Sequence, residues 1–305
     1  MIPNEYRSDF CKIYSLPIKI FSSPVFESRI ELLDELYNTK KLMSSFEKDI
    51  KRYRNYEAFI AEYNEIKETI IQHIKNKKEF SNFVNIDLSK YSSGTLPQKK
   101  KDLYKASNQN EYFLGFDLSQ ANFNAVRFFS PDIIDNKSTY ELFIRQFTDL
   151  EYFINSKYIR QVIFGVCFPL GQVTIERYLM SFIYSKILNL GLQLRLVHFS
   201  DDEIVLSIKE NEELEKQVLG LEKELGIKIK IEKYKLIKVN GADIYIKVFN
   251  NGKILVKCAT SITIPFVIRA IKDSNIEELD KHFVFEGYES MFIDIPNLFV
   301  PLLKY

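Results

Sequence analysis

The chain has 305 residues, 46% of them hydrophobic and 27% charged, and its 42 Lys and Arg against 41 Asp and Glu leave a net charge of +1. This is ordinary globular composition with room for roughly one to three domains or lobes, and it excludes a uniformly basic polyanion binder. Any nucleic-acid surface must come from local clustering of Lys and Arg. No apolar run reaches transmembrane length and the opening MIPNEYRSDF lacks a signal-peptide pattern, so no membrane and a cytoplasmic location are expected. Cys11, Cys167 and Cys258 are an odd count without metal-ligand spacing and predict reduced thiols.

Residues 25–84 carry apolar and aromatic side chains at three- and four-residue intervals, with Phe59, Tyr63, Ile66 and Ile70 on one helical face. Ser22-Ser23-Pro24 marks a helix start ahead of them. Residues 88–110 are polar, contain Gly94 and Pro97, and read as a loop. Its Lys99, Lys100 and Lys101, with Lys105 nearby, are a candidate contact to a phosphate backbone, against the plainer account of solvated loop charge. EYFLGFDLS (111–119) predicts a strand ending at Asp117, followed by helix-prone QANFNAVRFF. STYELFIRQFTDLEYFINSKYIRQVIFGVCF reads as helices offering Arg145, Lys157 and Arg160, and VTIERYLMSFIYSKILNL (173–190) as a further helix stopped by Gly191. LQLRLVHF and EIVLSI alternate as strands around Asp201-Asp202-Glu203, where a two-residue turn would make a hairpin. NEELEKQVLGLEKELG (211–226) is an amphipathic helix ending at Gly226. IKIKIEKYKLIKV, ADIYIKVF and KILVKCATSI then supply strands, with a turn at Asn250-Asn251-Gly252. The order over 111–262 is βααβ-hairpin-αβββ, a mixed sheet covered by helices, and the class is α+β.

Three adjacent acids at the centre of the apolar stretch LVHFSDDEIVLSI (194–206) repel one another and lose hydration if their neighbours are buried. A bound cation or a tight turn would compensate. Asp117 ends one strand and Asp201-Asp202 occupy a hairpin tip, so their carboxylates converge if those strands are neighbours in one sheet. Mg²⁺ takes oxygen ligands in near-octahedral geometry and shares them with water and phosphate. Two carboxylates spanning two such ions are the minimum for two-metal phosphoryl or nucleotidyl transfer. The bland account is a solvated acidic turn.

These segments also carry a family resemblance. FDLSQANFNAV, with Asp117, Asn122 and Phe123, resembles the first catalytic motif of template-directed polymerases. FPLGQ, ending at Gln172, and the helix after it resemble the second motif of reverse transcriptases, and FSDDEIVLSI resembles their third. NEELEKQVLGLEKELGIKIKIEKYK, with Lys233 and Lys235, resembles the helix and strand that come after that hairpin in the same family. The likeness covers roughly 111–240 and is to the palm domain. Family A DNA polymerases are a second relative: KYIRQVIFGVCF resembles their fingers helix through Arg160, Phe164 and Phe168, and DDEIVL resembles their His-Asp-Glu hairpin. The second catalytic Asp is Asp201 in the first alignment and Asp202 in the other, and both stay open. Glycine and proline are rearranged in FPLGQ, and Phe168-Pro169 replaces the family A tyrosine–glycine pair. Asn122 stands where DNA-synthesising members carry an aromatic or a Glu, and its amide suits a ribose 2′-hydroxyl.

The resemblance implies a palm-like mixed or antiparallel sheet with helices on one face. It would span 111–262, after a helical N-terminal region (1–110) acting as fingers or as an accessory lobe for a protein partner, and before a C-terminal segment (263–305). The implied activity is nucleotidyl transfer from NTPs or dNTPs to the 3′-hydroxyl of a nucleic-acid primer on its template, with reverse-transcriptase-like DNA synthesis as the primary expectation. Asp117, Asp201 and Asp202 would be catalytic and, with Glu203, would hold two Mg²⁺ (or Mn²⁺). Asn122, Phe123, Lys157, Arg160, Phe164 and Gln172 would bind the nucleotide, and Lys99, Lys100, Lys101, Lys233 and Lys235 the nucleic acid. Plainer accounts make Lys157 and Arg160 a solvated helix face, Phe164 and Phe168 core, and Lys233 and Lys235 exposed strand lysines. The rival functions are a non-catalytic palm-type subunit that binds nucleic acid or a partner polymerase chain, and a metal-dependent nuclease with His198 nearby.

Overall fold

The computed structural model describes residues 2–87, 98–169, 172–189, 194–209 and 226–294. Gly94 and Pro97 of the polar loop, Leu170-Gly171 with the Gln172 side chain, Gly191 and residues 211–225 of the expected amphipathic helix lie outside the described residues.

Helices run over Asn4–Ile13 (α1), Val25–Tyr37 (α2), Thr39–Ile50 (α3), Tyr56–Lys75 (α4), Phe80–Val84 (α5), Ala121–Phe129 (α6), Tyr140–Ile144 (α7), Glu151–Asn155 (α8), Lys157–Cys167 (α9), Gln172–Asn189 (α10) and Ile264–Ile271 (α11). Strands run over Lys100–Lys101 (β1), Tyr112–Leu118 (β2), Arg195–Phe199 (β3), Glu203–Ile208 (β4), Ile229–Lys238 (β5), Tyr245–Phe249 (β6), Ile254–Lys257 (β7), His282–Phe285 (β8) and Tyr288–Met291 (β9). The chain is α+β. Seven strands form one sheet in the order β1-β3-β4-β2-β5-β6-β7, and β8-β9 is a separate hairpin. The β1·β3, β3·β4, β4·β2, β2·β5 and β6·β7 pairings are antiparallel. Among the described residues, no helix is long and apolar enough to cross a membrane.

Packing divides the chain into two units: 1–61 with 150–152 and 236–305, and 62–149 with 153–235. Aromatic contacts within each unit follow this division. Phe59 in the first turn of α4 meets Phe46 and Tyr152 of the first unit. Further along the same helix, Tyr63 meets Phe153 and His73 meets Phe143 and Phe147, all of the second unit.

In the first unit the helical run that begins at Val25 breaks at Asn38, which takes a left-handed φ of 53° and donates its N–H to the Asp34 carbonyl at 2.7 Å. Asparagine tolerates that conformation, so α2 ends there and α3 begins. Within this unit Arg29 and Arg269 meet at Asp280, which is fully buried and paired with Arg29 at 3.2 Å and Arg269 at 2.7 Å. Arg29 also donates to the Asp280 and His282 carbonyls at 3.0 Å each.

In the second unit β2 is central, hydrogen-bonded to β4 on one side and β5 on the other. Residues directly opposite in antiparallel strands share a face. Phe116 and Ile204 therefore share one apolar face, and Phe199 opposite Ile204 extends it into β3. Helix α10 covers this face, with the Tyr184 ring edge-on to Phe199 at 6.0 Å. Phe123 of α6 packs edge-on against Phe164 of α9 and Tyr140 of α7. The lysine run read as loop instead adds β1 to the sheet edge, pairing Lys100 with Phe199 and Lys101 with His198. Lysine on an edge strand is a common guard against further pairing.

Candidate functional site

Asp117 lies one residue from the end of β2, directly opposite Glu203 of β4 and Lys230 of β5. The next residue, Leu118, donates its N–H to the Asp202 carbonyl at 2.9 Å, tying the β3–β4 hairpin tip to the end of the central strand. Ser200 shapes that tip. Its N–H donates to the Glu203 carbonyl at 2.9 Å, its Oγ accepts from the Glu203 N–H at 3.0 Å, and its hydroxyl donates to Asp202 Oδ1 at 3.0 Å. The chain then leaves β2 through Ser119, whose N–H donates to the Lys228 carbonyl at 3.1 Å, and Gln120, at a left-handed φ of 50°, before α6 begins.

A cavity of about 320 Å³ opens at this point. Asp117, Asp202 and Lys230 line it from the strands, residues 118–122 from the turn into α6, Lys157, Arg160 and Gln161 from α9, and Glu176 from α10. Lys157, Arg160 and Gln161 share one helical face by their i, i+3, i+4 spacing. Ser156 caps α9, its Oγ accepting from the Ile159 N–H at 3.1 Å. Arg160 donates from Nε to Asn122 Oδ1 at 3.0 Å, and its guanidinium carbon lies 5.5 Å from the centroid of the buried Tyr140 ring.

Burial, reinforced by the negative charges of Glu203 and Asp202, pushes the Asp117 carboxyl up to about 6, and Lys230 only partly offsets this. Burial also lowers the Arg160 pKa from its usual value, against the attraction of Tyr140, Glu141 and Glu176. The strand-end acids thus form a concentrated negative charge, with α9 supplying the positive charges of the same cavity.

Of the residues read from sequence, Asp117, Asp202, Asn122, Lys157 and Arg160 come together here. Asp201 is turned elsewhere, its Oδ2 bound to Lys99 Nζ at 2.5 Å. Glu203 stands beside Asp117 without lining the cavity, and His198 Nε2 is 3.9 Å from Glu203 Oε2. Phe123 and Phe164 are fully buried in the helical core, and Phe168 packs against Phe80 and Phe83. Lys100 donates to the Leu196 carbonyl at 2.7 Å. Lys233 and Lys235 pair with Leu114 and Tyr112, on the sheet face away from Asp117, and Lys235 lies over the Tyr112 ring. The sequence reading missed Lys230, Gln161 and Glu176. Gln161 could have been found from its helical spacing to Lys157, whereas Lys230 and Glu176 depend on strand register and helix placement.

The donor set suits a hard cation: Asp117, Asp202 and Glu176 line one cavity, and the Asp117 pKa is raised by burial and by neighbouring negative charge that a cation would relieve. Among the described residues, no group of three or more His, Cys, Asp or Glu side chains is arranged to hold a metal, so water and substrate oxygens would complete the coordination. No known protein family, curated protein or solved structure matches this chain.

Proposed function

We propose that the chain is a template-directed nucleotidyltransferase of the palm-polymerase kind, extending a 3′-hydroxyl from nucleoside triphosphates, with reverse-transcriptase-like DNA synthesis as its primary reaction. The observation that carries this reading is one cavity lined both by Asp117 and Asp202 and by Lys157 and Arg160. Those are the opposed charges that a metal-bound polyphosphate needs.

Mg²⁺, or Mn²⁺ in its place, would activate the attacking hydroxyl and neutralise the leaving pyrophosphate. The chain's own part is positioning and charge. Asp117 and Asp202 present carboxylate oxygens from a strand end and a hairpin tip that the Leu118–Asp202 hydrogen bond holds together. Glu203 keeps the potential negative beside Asp117. Arg160 offers a planar fork to phosphate oxygens and Lys157 a mobile point charge.

Primer extension with Mg²⁺, offering each dNTP and NTP on DNA and RNA templates beside an Asp117→Ala control, tests this. Incorporation that disappears in the control is expected. A second reading, a non-catalytic palm-type subunit, draws on Asp201 being engaged by Lys99, which leaves the cavity fewer acids than the motif offers. Nucleic-acid binding without incorporation under any combination would favour it. Shortening of labelled DNA in the absence of nucleotides would favour a nuclease.

A further inference from the structure

We infer that Asn122 is a positioning residue for Arg160, holding the guanidinium so that its terminal nitrogens receive a pair of phosphoryl oxygens; this rests on the nucleotidyltransferase reading of the cavity. Asn122 Oδ1 accepts from two groups that can only donate, the Phe123 N–H at 2.9 Å and the Arg160 Nε–H at 3.0 Å. The atom there must be the oxygen, and the amide orientation follows without ambiguity. The Phe123 N–H is one of those at the start of α6 that no helical carbonyl can satisfy. One side chain thereby ties the start of α6, four residues past Asp117, to the middle of α9.

The consequence for Arg160 is geometric. Its Nε is committed to Asn122 and one guanidinium face to the Tyr140 ring, which is fully buried and braced by Phe123. Among the described residues its two terminal nitrogens have no hydrogen-bond or ion-pair partner, and the residue lines the cavity. That edge of a guanidinium matches two oxygens of one anion better than a single hydroxyl. For Asn122 the consequence is that its carbonyl oxygen is already committed. Both lone-pair directions of its carbonyl oxygen are occupied, and the residue is 8% exposed. That oxygen is not left to accept from a ribose 2′-hydroxyl, and any contact to one would fall to the Nδ2 donors.

The test is equilibrium binding of inorganic tripolyphosphate, a dNTP and the matching NTP, each with Mg²⁺, to wild type, Asn122→Ala, Asn122→Ser, Arg160→Ala and the Asn122→Ala/Arg160→Ala double variant. Asn122→Ala is expected to weaken all three ligands by a common factor of about ten, the scale of one charge-assisted hydrogen bond. Asn122→Ser keeps an oxygen for Nε and should recover most of that loss. In the double variant Asn122→Ala should add nothing to Arg160→Ala, since it acts through Arg160. A changed NTP-to-dNTP ratio with tripolyphosphate binding intact would instead make Asn122 a sugar reader and overturn the inference. Additive losses in the double variant would overturn it too. Wild-type protein that binds none of the three ligands removes the nucleotidyltransferase reading as well. Wild-type protein that binds them while Asn122→Ala does so equally well removes only the role of Asn122.

Discussion

Asp117 and Glu203 stand directly opposite each other across β2 and β4, two carboxylates on one sheet face, with Lys230 on the far side of Asp117. The folded chain holds this arrangement against burial and repulsion that raise the Asp117 pKa from 3.8 to about 6.

That shift fixes a pH dependence. The folded state binds the Asp117 proton more tightly than the unfolded chain, so the stabilisation it brings is complete below about pH 4 and is lost as pH rises through about 6. Asp117→Asn in EDTA is therefore expected to stabilise the protein to urea at pH 7.5 by up to roughly 3 kcal/mol. The gain should vanish near pH 4. A variant no more stable than wild type at pH 7.5 would mean that solvent or counter-ions already screen the pair.

Asp201 and Asp202 are adjacent in sequence and separate in role. Asp202 lines the cavity, whereas Asp201 is bound to Lys99. In primer extension, Asp202→Asn should lower incorporation at least about 100-fold and Asp201→Asn less than about tenfold, because only the former removes charge from the reacting site. Equal losses would restore Asp201 as a metal ligand.

Asp280 joins Arg29 and Arg269 in the first unit with no exposure of its own. Asp280→Ala leaves two guanidinium groups facing each other without their shared partner and is expected to cost about 3–5 kcal/mol. Asp280→Asn keeps an acceptor and should cost less. Urea midpoints for the pair of variants measure this, and equal costs would show that charge, not hydrogen bonding, holds the cluster.

Gly115 sits in the middle of β2, two residues before Asp117. A Cβ there would lie 3.3 Å from Cε1 of the fully buried Tyr234 ring and 3.9 Å from Glu203 Oε1. Gly115→Ala is expected to destabilise by about 1–3 kcal/mol through overpacking. Combining it with Tyr234→Leu should recover part of the loss, and a thermal melt of the two variants decides whether the ring is the obstacle.

The alternation in EYFLGFDLS and EIVLSI makes β2 and β4 legible without a structure, and Asn250-Asn251-Gly252 marks the β6–β7 turn, where Gly252 takes a φ of 77°. The same alternation cannot choose between Asp201 and Asp202, since a slip of one residue exchanges their faces. Lys230 is equally hidden: IKIKIEKYK offers a lysine at nearly every second position, and only pairing with β2 selects the one opposite Asp117. Phe164 and Phe168, four apart at the end of α9 and just beyond it, read more readily as core than as a stacking platform, and both are buried. What escapes the sequence is contact between elements far apart along it, which no local period encodes.

Because β2 is flanked by β4 and β5, both of which come later in the chain, the carboxylate at 117 waits on synthesis. A nascent chain that has released α6 and α9 still has an open-edged central strand until Ile229–Lys238 has been made. Such long-range pairing is slow and exposes unpaired edges meanwhile. The order of elements thus leaves one flank of the candidate site among the last parts of its unit to be made. A ribosome stalled before β5 would carry Asp117 and Asp202 without Lys230, the residue that faces Asp117 from the other side of β2.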